Sequence, residues 1–201
     1  FSWKGFLISF GLSVILLALL LYGIIPGLVT ISSKFDYFFV NSLGLPANSG
    51  MTFHIILLSL IFFLAIRSTL NTTDSRKNAA YATAALFLTG IWVVSGSVIV
   101  NLLLLVIISS LIWYIAGRST RILNTALTAI VVILIGYSSN AIIVIRSSAG
   151  TPLNENNPSD PFNLLYFLNR EQYGQRPLFH GAYYNAPVVD YPAGKPRYAL
   201  E

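Results

Sequence analysis

The sequence predicts an all-α membrane protein, with about five transmembrane helices over residues 1–149 and an outward, polar C-terminal tail over residues 150–201 that carries a short amphipathic helix. Three observations predict it. Only 9% of the 201 residues are charged, 55% are hydrophobic, and the mean hydropathy is +0.72. A soluble domain carries about 25% charged residues, so this chain has too few to cover a water-facing surface. Apolar runs of membrane-crossing length fill its first three quarters, and polarity gathers in the Pro- and Asn-rich remainder, with the shift between Arg146 and Pro152.

The first run, Phe6 to Ile31, is long enough to cross a hydrocarbon core of about 30 Å. Trp3 and Lys4 precede it as an interfacial aromatic and a snorkelling cation, and Pro26 is placed to kink its far end. From Ser32 to Gly50 the chain is mixed. Phe35, Phe38, Phe39 and Leu43 share one helical face, with Lys34, Asp36 and Asn41 elsewhere. That pattern reads either as a short helix in the interface plane or as an aromatic-rich loop.

A second span runs from Met51 to Ile66 and contains His54. An ionisable group at membrane depth is a functional candidate, but one this close to the start of a helix also reads as a structural histidine. Arg67, Asp74, Arg76 and Lys77 form the loop that follows. It contains the sequon Asn71-Thr72-Thr73, a chance match if the loop is cytoplasmic. Ala79 to Gly117 is uncharged, too long for one ordinary span and just long enough for two short ones with a turn at Ser95-Gly96-Ser97. Trp113 and Tyr114 mark an interface, and Arg118 and Arg121 lie in a short loop. The last span, Leu123 to Ile145, holds the small, polar Gly136-Tyr137-Ser138-Ser139-Asn140 patch, suited to helix–helix contact.

The basic residues set the orientation. With five spans, Lys4, then Arg67, Arg76 and Lys77, then Arg118 and Arg121 all fall on one side, which should be the cytoplasm. The tail is then outside, in the periplasm if the membrane is a bacterial inner membrane. One long third helix would instead divide the basic loops between the two sides. The formal charge of +5 and the pI near 9.6 therefore read as topology and not as a nucleic-acid surface. With no cysteine there are no disulfides, Cys-based metal sites or thiol nucleophile.

In the tail, Asp160-Pro161 is a helix-start signal, with the carboxylate as cap and proline at the first helical position. Phe162, Leu165 and Leu168 recur at helical spacing and Gly174 fits a stop, so an amphipathic helix is expected from Pro161 to about Tyr173. Tyr183, Tyr184, Tyr191 and Tyr198, interspersed with Pro and Gly, read as extended chain.

Of catalytic motifs there is no HExxH, GxSxG, phosphate-binding loop or dinucleotide turn, and no metal or other cofactor is implied. No carboxylate pair lies within a span, which disfavours an ion-coupled carrier, and no inverted repeat supports one. The strings GYSSNAIIVIRSSAGTPLNENNP (136–158), DPFNLLYFLNREQYGQRPL (160–178) and GAYYNAP (181–187), with FVNSLGLPANSG (39–50), resemble the protein O-mannosyltransferase-like membrane family of Bacteroidetes, long known only as a domain of unknown function. The resemblance covers most of the chain, and NENNP (154–158) and FLNREQYG (167–174) are its specific parts.

The resemblance implies a GT-C-type glycosyltransferase that takes a sugar from a polyprenyl-phosphate donor on the outer face and passes it to a protein or glycan acceptor. The family carries its catalytic acid in the first outward loop, in a Trp-Asp-x-Gly-Glu-like stretch that does not occur here. With no start Met at Phe1 and with Leu200-Glu201 readable as a cloning scar, the chain is expected to be an internal, non-catalytic piece of such an enzyme. Arg146, at the outward end of the last span, can grip a lipid-linked phosphate or can snorkel to headgroups. Glu155, Asn156 and Asn157 can bind sugar hydroxyls or serve as turn residues before Pro158. Arg170 and Glu171 can belong to an acceptor surface or to a solvated patch, and His180 reads as structural. The alternative to the enzyme is a membrane scaffold or assembly protein without chemistry.

Overall fold

The computed structural model describes residues 2–94, 96–152 and 154–171. The expectations for Tyr173, Gly174, His180 and the tyrosines from Tyr183 to Tyr198 lie outside them. All regular structure among the described residues is helical, as composition and periodicity predict.

The chain opens with α1 (Trp3–Leu19), a π-helical turn (Leu20–Ile24) and α2 (Ile25–Leu43), which run on without a break for 41 residues. At 1.5 Å per residue that is about 61 Å, twice the hydrocarbon thickness. The expected first span and interfacial segment are therefore one helix. Pro26 does not break it. Proline has no N–H to give the preceding turn and its ring crowds that turn's carbonyl, so the helix widens just upstream, where Ile25 N–H reaches back five residues to Leu20 O. Gly44, in the left-handed region at φ 66°, ends α2 in a turn that sends Leu45 N–H to Phe39 O.

Next come α3 (Ser49–Asn71) and α4 (Ser75–Leu88), whose N-terminus is capped by the Asp74 carboxylate accepting from Arg76 and Lys77 N–H. The chain breaks between Thr89 and Ser97, where the turn was expected, before α5 (Val98–Arg118). A single long third helix is thereby excluded. The division is uneven, however: α4 has only 14 residues, about 21 Å, and does not reach across a hydrocarbon core by itself. Among the described residues four helices are long and apolar enough to cross a membrane, and α4 is a shorter helix packed among them.

The last long helix joins α6 (Thr120–Tyr137), a 3₁₀ turn (Ser138–Asn140) and α7 (Ala141–Ser148). In the Gly136–Asn140 patch Gly136, Ser138 and Ser139 are exposed, and Tyr137 and Asn140 are half-buried. The two serine hydroxyls donate to the carbonyls three residues back, at 2.6 and 2.9 Å, where the helix tightens to 3₁₀.

The core lies among α3 to α6: Leu58, Phe62 and Ala65 on α3, Ala79, Ala82 and Ala85 on α4, Ile112 on α5, Leu123 and Leu127 on α6. Three alanines with no exposed surface let α4 approach its neighbours closely, which in lipid is the main source of helix association. By contrast, α1 contributes no buried residue, and α5 and the α6–α7 helix bury almost none of their most apolar windows. So much outward-facing Leu, Ile, Val and Phe is what a bilayer solvates and water does not.

The two basic loops meet at one end of the bundle. Asn124 Nδ2 donates to Thr69 Oγ1 at 2.7 Å, and Gly117 lies beside Ser75. At the opposite end α8 (Pro161–Leu168) packs on α2, and Asn48 Nδ2 donates to Ser159 O at 3.0 Å. The tail helix is five residues shorter than expected. It closes with Arg170 N–H on Phe167 O and with Arg170 itself left-handed at φ 55°, before Gly174 is reached.

Candidate functional site

The tail end of the bundle carries the polar residues that sequence reasoning singled out. Arg146 sits, exposed, in the last turn of α7. The next residue, Ser147, is buried and ties down the chain that follows. Its hydroxyl lies 2.8 Å from Asn154 Oδ1 and 3.1 Å from Asn157 Oδ1, and Asn154 Nδ2 donates to Ser147 O at 3.2 Å and to Asn157 Oδ1 at 2.9 Å. Asn156 and Asn157 take φ of 61° and 42°, a left-handed pair that asparagine tolerates better than most residues. Asp160 then caps α8, accepting from Phe162 and Asn163 N–H at 2.9 and 3.0 Å with Pro161 at the first helical position.

This knot ties Asn154 and Asn157 to Ser147 at the end of α7, beside an open cavity of about 490 Å³. Arg146, Asn154 and Glu155 line its polar side, Ile143, Pro158 and Phe167 its apolar side. Of the six candidates, the structure thus brings Arg146 and Glu155 together. Asn157 belongs to the knot, and Asn156 shapes the same turn. Arg170 and Glu171 lie exposed beyond α8, away from the cavity lining, with Glu171 Oε1 accepting from Asn169 Nδ2.

His54 is fully buried. Its Nε2 lies 2.9 Å from Leu88 O, and since a carbonyl only accepts, Nε2 carries the hydrogen. Its Nδ1 lies 2.8 Å from Ser32 Oγ, which is also within 2.9 Å of Leu28 O. Phe35 stacks on the ring at 5.1 Å. Leu88 is the last residue of α4, so its carbonyl has no partner within its own helix. The histidine supplies that partner from α3, and both Ser32 and His54 are buried.

Asp36 was missed as a site residue. It is fully buried, and from α2 it accepts from Gly50 and Asn48 N–H at 3.0 and 3.1 Å and from Met51 N–H at 3.4 Å, capping the start of α3. Gly50 permits this, because a Cβ there would overlap the Asp36 backbone. The available signal was a lone carboxylate beside an Asn-Ser-Gly helix start whose Asn48 makes no side-chain cap of its own. Among the described residues no three His, Asp or Glu side chains gather into a metal site.

Helices of spanning length with long apolar runs facing outward define the chain as a multi-pass α-helical membrane protein. No protein-family model, no curated protein and no solved structure matches it.

Proposed function

We propose that the chain is a non-catalytic membrane portion of a GT-C-type glycosyltransferase, similar to the protein O-mannosyltransferases, and that it holds the phosphate end of a polyprenyl-phosphate sugar donor. The observation that carries this reading is the cavity at the end of the last long helix, lined by Arg146 together with apolar Ile143 and Phe167. A lipid-linked sugar phosphate has that polarity. Its first isoprene units fit an apolar wall, its phosphate pairs bidentately with a guanidinium, and its hydroxyls donate to carboxylate and amide oxygens such as those of Glu155 and Asn154. The motif strings support the same reading from sequence. The catalytic acid belongs elsewhere, because the Trp-Asp-x-Gly-Glu-like stretch is missing here. The positive-inside rule supports a tail on the outer face, periplasmic in a bacterial inner membrane.

The test is binding of an undecaprenyl-phosphate hexose to the chain in detergent micelles, with undecaprenol as the phosphate-free control. Loss of a charged hydrogen-bond partner costs about 1.5–3 kcal/mol, so Arg146→Ala should weaken binding roughly tenfold to a hundredfold. Undiminished binding removes the role given to Arg146. A second reading, a scaffold without chemistry, is favoured by one observation: the fully buried Asp36, His54 and Asn78 are all used to hold helices and turns together. Failure to bind any polyprenyl-phosphate sugar would decide for it.

A further inference from the structure

We propose that the end of the bundle built from the α3–α4 and α5–α6 loops docks the phosphate headgroups of anionic phospholipids in the leaflet it faces. The sequence shows two separate basic loops; the structure makes them one surface. Asn124 bonds to Thr69 across the helices, and Gly117 lies beside Ser75. Arg67, Arg76, Lys77, Arg118 and Arg121 are all exposed there. Between Arg67 and Arg121 the only carboxylate is Asp74, and its Oδ1 accepts from the first N–H groups of α4.

The depth is right for headgroups. Trp113 and Tyr114 are large, exposed aromatics (48% and 64%) on the last turns of α5, the composition of an interfacial belt. Arg118 stands one helical turn beyond them, its Nη1 3.5 Å from Tyr114 OH. Cations just outside an aromatic belt meet phosphodiesters, and each contributes about 1 kcal/mol of attraction to an anionic surface, roughly fivefold in affinity. This surface is at the opposite end from the Arg146 cavity, and neither proposal depends on the other.

The experiment is native mass spectrometry of the chain released from micelles doped with equal amounts of phosphatidylglycerol and phosphatidylcholine. Retained phosphatidylglycerol should exceed phosphatidylcholine at least about tenfold, which two engaged cations suffice to give, and the preference should shrink at high salt. The variant carrying Arg76→Gln, Lys77→Gln, Arg118→Gln and Arg121→Gln should retain both lipids equally, while Lys34→Gln, on α2, keeps the preference. Equal retention by the unaltered chain, or an unchanged preference in the fourfold variant, overturns the proposal. So does efficient competition by soluble glycerophosphoglycerol, which would make free phosphate compounds the ligand instead of the lipid surface. Should the fourfold variant fail to fold, the exposed pair Arg76→Gln and Arg121→Gln must show a partial loss, and a full preference in that pair counts against the proposal equally.

Discussion

His54→Phe separates the two things the buried histidine does. Phenylalanine keeps a ring against Phe35 and fills most of the site, but it removes both hydrogen bonds. Ser32 loses little, because its hydroxyl already lies within 2.9 Å of Leu28 O and can settle there. Leu88 O loses its partner in a place that water does not reach. Interhelical hydrogen bonds in membranes average about 0.6 kcal/mol each, which sets a floor near 1 kcal/mol for the pair. An orphaned buried carbonyl costs about 1–3 kcal/mol, which sets the ceiling. His54→Phe should therefore lower the unfolding free energy by about 1–3 kcal/mol, measured by SDS titration in bicelles, and Ser32→Ala should cost clearly less. Lipid-phosphate binding should be unchanged once the variant is folded. A stability within about 0.5 kcal/mol of the unaltered chain, or a loss of binding without a loss of stability, would refute the capping role.

Three further predictions concern the same framework. Asp36→Ala leaves the first N–H groups of α3 without an acceptor and should cost about 2–4 kcal/mol in the same titration, with Asp36→Asn recovering part through its one remaining carbonyl oxygen. Gly27→Ala puts a Cβ into the Gly90 backbone, where no flexible side chain can yield; the two segments must part, costing about 1–3 kcal/mol and lowering the melting temperature in detergent. Single cysteines replacing Arg76 and Glu155, in a chain with no native cysteine, should react with an impermeant maleimide from opposite faces of oriented vesicles, since the two positions lie at opposite ends of the bundle.

Fold class was legible because it depends on composition and run length, which need no tertiary knowledge. The break between α4 and α5 was legible for the same reason: an uncharged stretch from Ala79 to Gly117 exceeds one span, and small polar residues sit near its middle. The length of α4 was not, because Ser75 to Asn78 look like loop until Asp74 is seen to cap them. Nor was the continuity of α1 and α2, since the charges at Lys34 and Asp36 read as an interface when nothing shows that α3 buries the carboxylate. At the candidate site, Arg146 and Glu155 were legible as polar residues at a span end, but their shared cavity depends on the Ser147–Asn154–Asn157 knot. That knot joins side chains seven to ten residues apart through left-handed asparagines, a contact with no periodicity to reveal it.

A helix of 14 residues among longer ones raises a problem that water-soluble proteins do not face. Its last carbonyls end inside the bundle, and in hydrocarbon they have no solvent to turn to. Here the neighbours supply what the solvent would. His54, from α3, reaches Leu88 O. Thr89, fully buried, donates its hydroxyl to Leu86 O, and Trp92 Nε1 donates to Phe87 O. The next residues are then held by Gly90, whose backbone meets that of Gly27 with no Cβ between them. The glycine pair and the histidine thus serve one end of one helix, and this accounts for an ionisable side chain at membrane depth without chemistry. It also predicts their coupling. If Gly27→Ala draws α4's end away from α2, the bond from His54 to Leu88 O is strained by the same movement, and the double variant Gly27→Ala/His54→Phe should cost less than the sum of its parts by at least about 0.5 kcal/mol. Strict additivity would mean that the two contacts hold α4 independently, and the single-cap account of His54 would have to be given up.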